Sequence, residues 1–357
     1  MLTGLFKNIK ISGLSVAVPT TKVPVENYNS VFGEENVAKF KEMTGVESVS
    51  RAKQNQTASD LGFEAAVDVF KNSESNKESV GILIFVSQKP DYRVPSTAFV
   101  LHKRLGLSEN CMCFDLNLAC SGFIFGLQSA LSLLTSSTAE TALLITGDTS
   151  VKTLSPFDKT MIMLFGDSGS ATLLEKTQSE DEIRLSFKTD GSRFKSIVTP
   201  SGSYRNRYAI KDRIEWSDGV VRSDYDTHMK GMEVFGFSIK DVPILMKDFM
   251  DKHKTSPDYY DYFILHQANN YILKHLSRKL KIPTEKIKVS LDRFGNNSSN
   301  SIPLVLSDHF GKGNHGKIKI FICGFGAGLS YACGDLILDT ANVNPLVETD
   351  AYYHEAY

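Results

Sequence analysis

The sequence predicts an α/β protein made of two duplicated halves, and three observations carry that expectation. Short, unbroken apolar runs rich in β-branched residues alternate with helix-length segments, as buried strands covered by helices do. The run Ile84-Phe85-Val86 passes into Ser87-Gln88-Lys89-Pro90, and Phe263-Ile264-Leu265 passes in the same way into His266-Gln267-Ala268-Asn269. Thirty-two residues separate Gln88 from Cys120, and the same step from Gln267 lands on Ser299, where a second apolar helix opens. A strand–helix–strand–helix–strand–strand order thus occurs twice, dividing the chain into residues 1–180 and 181–357.

In chain order, Ile9 to Pro19 reads as a strand ended by proline, and Asn36 to Met43 as a helix closed by the turn Thr44-Gly45-Val46. Asn55 to Asp60 supplies an N-cap for a helix from Leu61 to Asn72. Gly81 to Val86 is a buried strand, Pro95 to Leu105 a helix, and Met112 to Leu116 a strand leading to Cys120. The helix that follows is apolar on nearly every side through Leu134, which places it in the middle of the protein. Ala142 to Thr146 gives a further strand, and the stretch from Leu164 to Leu174 a turn and another strand. In the second half, Tyr262 to Leu265 is a strand, and Gly295 to Ser301 opens the helix Ile302 to Phe310. Ile318 to Cys323 and Leu329 to Leu338 are neighbouring strands around Gly324-Phe325-Gly326-Ala327-Gly328. Residues 190–229 lack periodicity and hold the single tryptophan, Trp216, with a basic cluster of Arg205, Arg207, Lys211 and Arg213. Such a stretch fits a solvated insertion or a substrate-binding one. The tail from Asn342 to Tyr357 also lacks periodicity.

Composition excludes several classes of function. The chain has 357 residues, 41% hydrophobic and 23% charged, with a formal net charge of −1. That balance gives no reason to expect nucleic acid or an anionic membrane as a partner. No apolar run approaches the ~18 residues of a membrane span, so membrane insertion is not expected. The five cysteines have neither zinc-site spacing nor the even count of a secreted disulfide framework. No signal-peptide layout precedes the first strand, and the expected location is cytoplasmic.

Chemistry converges on four loops. A cysteine in the first turn of a helix meets unpaired N–H groups and the positive end of the macrodipole, and both favour the thiolate. A buried free cysteine is also an ordinary small hydrophobe, so that stretch alone leaves both roles open. His266 ends a buried strand, Asn296 stands in a Gly-Asn turn before a helix, and Gly324 to Gly328 lets backbone N–H groups approach a substrate oxygen. Taken together with Cys120, they form a Cys–His–Asn set suited to acyl transfer. The glycine-rich turn lacks the GxGxxG spacing of a dinucleotide site.

Those residues also carry a family resemblance. Asp115 to Gly126, the His266-Gln267-Ala268-Asn269 loop, Gly295-Asn296 through Pro303, and Gly324-Phe325-Gly326 resemble β-ketoacyl-ACP synthase III of the thiolase superfamily. Thr44-Gly45 and Phe165-Gly166-Asp167-Ser168-Gly169 match further landmarks, so the likeness runs from about residue 9 to residue 338. The resemblance implies a thiolase-like five-layer fold of two βαβαβαββ halves, a homodimer, and decarboxylative Claisen condensation of an acyl starter with malonyl-ACP. It makes Cys120 the nucleophile and the backbone N–H groups of Cys120 and Ala327 the oxyanion hole. His266 and Asn296 become the donors that stabilise the enolate as CO₂ leaves. Substrates would be CoA or phosphopantetheine thioesters, with no metal or other cofactor, and the partner an acyl carrier protein. Phe165, Met232, Phe325 and Gly326 would lie against the substrate, and Lys274, Arg278 and Lys279 would dock the carrier. An acyltransferase of the same fold, acting on a non-malonyl acceptor, is the alternative.

The chain departs from the family where housekeeping members grip the CoA adenine with a tryptophan and an arginine, because those positions fall at Lys39 and Met43. Lys159 keeps a cation near the nucleotide phosphates. Val94 stands where a phenylalanine closes the acyl pocket across the dimer, which implies room for a larger group. Acetyl-CoA is therefore expected to be a poor primer, and a longer, branched or carrier-bound acyl group a better one.

Overall fold

The computed structural model describes residues 2–311 and 315–354. Met1 and the last three residues of the tail lie outside the described residues. The first half comprises β1 (Leu2–Phe6), β2 (Ile9–Val18), α1 (Glu34–Thr44), α2 (Ala58–Asn72), β3 (Val80–Val86), α3 (Thr97–Leu105), β4 (Met112–Leu116), α4 (Gly122–Ser136), β5 (Thr141–Asp148) and β6 (Ser168–Lys176). The second comprises β7 (Ile183–Thr189), α5 (Gly231–His253), β8 (Tyr262–Leu265), α6 (Asn270–Leu280), α7 (Ser301–Phe310), β9 (Lys317–Gly326) and β10 (Ser330–Asp339), followed by β11 (Val347–Glu348).

One sheet runs β11-β2-β6-β5-β3-β4 and the other β1-β7-β10-β9-β8. In each, a parallel pair leads into antiparallel neighbours: β3 with β5 then β6 and β2, and β8 with β9 then β10 and β7. The place that β4 holds beside β3 is taken in the second sheet by a single parallel bridge, Phe263 to Ile287. The terminal strands are exchanged. β1 pairs with β7 in the second sheet, while β11 pairs with β2 in the first.

Between the sheets lie α4, against β3, β5, β9 and β10, and α7, against β2, β6, β8 and β9. Outside them lie α2 and α3 on one face and α5 and α6 on the other, which makes five layers. Position explains composition here. Phe123, Ile124, Leu127, Leu131, Ile302, Val305 and Leu306 join one buried cluster with residues of both sheets, so these two helices have no solvent side to keep polar.

Several boundaries differ from expectation for local reasons. α2 starts at Ala58 because Thr57 and Asp60 form a reciprocal capping box. α3 starts at Thr97 rather than Pro95, its first N–H groups donating to the Asp115 carboxylate at 2.7 and 2.8 Å. Within 190–229, Ile197–Val198 pairs with His228–Met229, and Ile214–Glu215 with Val221–Arg222. Trp216 is an internal anchor, donating to the Arg222 carbonyl at 2.9 Å. Arg213 of the basic cluster is held by Asp226 through two 2.9 Å bonds, so it is structural. The tail packs as well: the Tyr353 N–H donates to Asp60 at 2.9 Å, and its ring lies 4.7 Å from the Arg104 guanidinium.

Candidate active site

The loops at the ends of β3, β8 and β9 and ahead of α4 and α7 meet in one place, because the duplicated halves put equivalent strand ends side by side. A cavity of about 530 Å³ opens there, with Cys120, His266, Asn296 and Gly326 in its lining. A second cavity of about 50 Å³ also reaches Cys120, from the side of Ala119, Ser298 and Ala327. Cys120 is therefore the junction of two spaces.

Cys120 stands two residues before the first residue of α4, with Ser121 as N-cap, rather than in the first helical turn. The Gly122 N–H closes a tight turn back to the Ala119 carbonyl at 2.6 Å, so the cysteine is presented on the turn. Its sulfur faces cavity rather than bulk solvent. Burial pushes the thiol up to about 12, and the charge of Asp148 pushes the same way; the Ser298 hydroxyl, 3.9 Å from the sulfur, works against them. The expectation of a standing thiolate is thus reversed: desolvation outweighs the helix end, and the resting group is a thiol. Neither the Cys120 nor the Ala327 backbone N–H donates to another residue among those described, and both residues line the small cavity.

β9 comes so close to Cys120 that only glycine fits at position 326. A Cβ there would stand 2.7 Å from the Cys120 Cβ and 3.0 Å from its sulfur, and pairing of Gly326 with Ser330 keeps the strand from retreating. Gly326→Ala is expected to slow acylation of Cys120 about tenfold or more by displacing the nucleophile. Intact-protein mass spectrometry with an acyl thioester donor measures this, and an unchanged rate would show that the sulfur is free to shift.

His266 is buried at the end of β8, its N–H donating to the Cys323 carbonyl at 2.7 Å and its ring edge-on to Phe325 at 5.2 Å. Burial depresses the imidazole to about 3, so it is neutral. Nδ1 pairs with the Ser301 hydroxyl at 3.1 Å, which leaves Nε2 for the cavity that the ring lines. Asn296 is fixed through its backbone, donating to Leu164 at 2.8 Å and accepting from Gly166 at 3.0 Å. Its Oδ1 accepts the Ser298 N–H at 2.9 Å, and because a backbone N–H can only donate, the amide nitrogen is the end left for a ligand. Gly295 makes this crossing of chains possible: its φ is +67°, and a Cβ would lie 2.4 Å from the Leu164 carbonyl. Phe165, bridged to Asn296, lines both cavities, and Arg51 holds its carbonyl at 2.9 Å.

At the mouth, Lys39, Met43, Lys159 and Met232 all line the large cavity, together with Phe325 and Phe165 deeper in. Lys39 is paired with Glu35 at 2.6 Å, and Met43 and Met232 are 69% and 83% exposed, so the rim there is largely apolar. Val94 is 79% exposed and lines neither cavity of its own chain. Lys274, Arg278 and Lys279 lie on the exposed face of α6 with no ion pair among the described residues, while Asn269 and Ile272 at the other end of that helix line the cavity. The ribbon strands Ile197 and Met229 from the insertion also line it, so that stretch is part of the site wall. Ser298, Ser301, Asp148 and Lys89 escaped sequence reasoning. The signal available was position: Lys89 and Asp148 stand at or just past strand ends, Ser298 just before α7 and Ser301 at its start, places equivalent to ones already singled out.

Comparison with known proteins agrees with this geometry. The family model described as 3-oxoacyl-[acyl-carrier-protein (ACP)] synthase III matches residues 114–191, and that of its C-terminal part matches residues 250–336. A β-ketoacyl-[acyl-carrier-protein] synthase III of Clostridium perfringens is 32% identical over 327 residues, covering 91% of this chain and 98% of that one. One from Streptococcus gordonii is 33% identical over 287 residues, covering 80% and 85%. The crystal structure of a 3-oxoacyl-(acyl-carrier protein) synthase from Burkholderia xenovorans superposes with a TM-score of 0.91 at 32% identity, covering 98% of this chain and 99% of the other. The chain belongs to the β-ketoacyl-ACP synthase III family, acyl-transferring condensing enzymes of thiolase-like fold.

Proposed function

We propose that this protein joins an acyl starter, held as a thioester on Cys120, to malonyl-ACP with loss of CO₂, giving a β-ketoacyl-ACP. The observation that carries this is one cavity shared by a nucleophile and two neutral hydrogen-bond donors. The sulfur attacks the starter carbonyl as the thiol proton leaves, and the charge developing on oxygen meets the free N–H groups of Cys120 and Ala327. The carrier or CoA thiol then departs with a proton. Malonyl-ACP enters by the same mouth, and its thioester carbonyl lies between Asn296 Nδ2 and His266 Nε2. In the tautomer that puts the proton on Nε2, the Ser301 hydroxyl turns from the Ser298 carbonyl, 3.1 Å away, to donate to Nδ1. As the C–C bond to the carboxylate breaks, CO₂ leaves and the electron pair becomes an enolate, held by those two donors. Its carbon attacks the acyl-Cys120 carbonyl, and the sulfur leaves as a thiolate that takes a proton from solvent to restore the thiol. No metal or other cofactor enters any step.

The apolar rim and the Lys39–Glu35 pair offer little to a nucleotide, which supports a starter delivered on phosphopantetheine, with acetyl-CoA a poor primer. The carrier is proposed to dock on α6. Reversing charge at Lys274 and Arg278 together should raise the KM for malonyl-ACP about tenfold while leaving self-acylation by acyl-CoA unchanged; steady-state kinetics with both donors reads this, and an unmoved KM would place the carrier elsewhere. A homodimer is supported by β4, an apolar edge strand flanked by exposed Val94, Phe99 and Met112. Five free thiols suit the reducing cytoplasm. The reaction itself is tested by supplying acyl donors with malonyl-ACP. Equal amounts of CO₂ and of a product two carbons longer are expected, and acyl transfer to another acceptor without CO₂ would replace this reading.

A further inference from the structure

The two spaces that meet at Cys120 have different linings, and the difference bears on the starter. A thioester arm enters through the large cavity, so the part of the acyl group beyond its carbonyl extends into the small one. About 50 Å³ holds roughly three to five water-sized groups. That suits a short chain rather than a long or branched one. Its wall mixes the polar residues Gln88, Lys89, Asp148 and Ser150 with the apolar Ala119, Leu154, Met161, Ile197 and Met229, so it can hold a short alkyl stem that ends in a polar group.

Two of these residues carry charge, and they are not equivalent. Both Asp148 oxygens are occupied: one accepts from the Ser87 hydroxyl at 3.0 Å and the Gln88 N–H at 3.2 Å, the other from the Ser299 hydroxyl at 3.0 Å and its N–H at 3.4 Å. Lys89 is fixed at its backbone by the Ser87 hydroxyl, which accepts its N–H at 2.9 Å. Its ammonium makes no hydrogen bond or ion pair among the described residues. Burial depresses it, and the field of Asp148 opposes that in part. Lys89 is only partly buried, and its ammonium, which no described residue hydrogen-bonds or pairs with, can take an anion brought beside it.

We propose that Lys89 and the polar side chains beside it form a subsite for a terminal carboxylate on a short acyl starter, a dicarboxylic acid monothioester. The proposal rests on the acyl-cysteine reading above. The carboxylate forms a charge-assisted hydrogen bond to Lys89 Nζ, and the uncharged donors around it complete its shell. Position 89 thereby selects the starter without touching the reacting atoms.

The test loads the intact protein with succinyl, 3-hydroxybutyryl and butyryl groups on one pantetheine carrier, and follows adducts on Cys120 by intact-protein mass spectrometry. Succinyl is expected to load about tenfold faster than butyryl. Lys89→Met, uncharged and of similar length, should remove that preference, and Lys89→Arg should keep part of it. Thermal melting and Cys120 alkylation establish that each variant is folded with an open site. Faster loading of butyryl or 3-hydroxybutyryl by the unaltered protein overturns the proposal, as does a succinyl preference that survives Lys89→Met. If butyryl loads best and then condenses with malonyl-ACP, the subsite fails while the synthase reading stands. If none of the three acylates an alkylatable Cys120, both fail.

Discussion

Replacing Cys120 by alanine abolishes the acyl-enzyme: no adduct forms with any thioester donor, and condensation falls to background. Cys323 and Cys333 are buried in the sheet interior, and burial raises both thiols, so neither substitutes. Cys111, just before β4, and Cys113 on it line neither cavity. The fold should tolerate the change, since alanine is smaller and keeps the turn from Ala119 to Gly122. Decarboxylation of malonyl-ACP persists in this variant, because the enolate donors do not depend on the sulfur. Mass spectrometry and CO₂ release read the two outcomes separately. An adduct in Cys120→Ala would move the nucleophile elsewhere.

Asn296→Ala and His266→Ala show the opposite split. Each removes one donor from the enolate oxygen, and loss of one such donor costs about 10²–10³ in rate, or about 2.7–4 kcal/mol. Acylation of Cys120 continues in both, since the N–H groups proposed for that step belong to Cys120 and Ala327. The two variants differ in one respect. Because Asn296 also accepts from the Ser298 N–H, its loss frees a loop that touches the nucleophile, and Asn296→Asp separates the effects by keeping the acceptor while losing the donor. That carboxylate would repel the enolate, so Asn296→Asp is expected to decarboxylate no better than Asn296→Ala. Retained condensation in Asn296→Ala contradicts the assignment. Loss of acylation in His266→Ala would instead make His266 the base for the thiol.

Much of this was legible in the sequence, for identifiable reasons. The unbroken runs Gly81–Val86 and Tyr262–Leu265 belong to strands covered on both faces, and α4 read as central because a helix between two sheets is apolar all round. The Cys120, His266 and Asn296 loops were legible because duplication places equivalent loops at equivalent spacings. The exchanged terminal strands were not: Leu2–Phe6 is short and mostly exposed, so it carries no alternation to read. The state of Cys120 was misjudged because a helix end is a local feature, whereas desolvation depends on how the whole chain closes around the sulfur. Lys89 and Ser301 share a cause. Each stands in a loop whose neighbours come from distant segments, and a lysine after a glutamine, or one serine in a serine-rich run, gives no local sign of what it will face.

The account turns on whether one sulfur carries the acyl group that malonyl-ACP then removes. A single-turnover chase measures that directly: load Cys120 with an isotope-labelled acyl group, remove the donor, add malonyl-ACP, and follow protein mass, CO₂ and product together. The account predicts that the adduct disappears as CO₂ and a labelled β-ketoacyl-ACP two carbons longer appear in equal amounts. An adduct that persists through product formation, or that leaves as free acid or on another acceptor without CO₂, contradicts it.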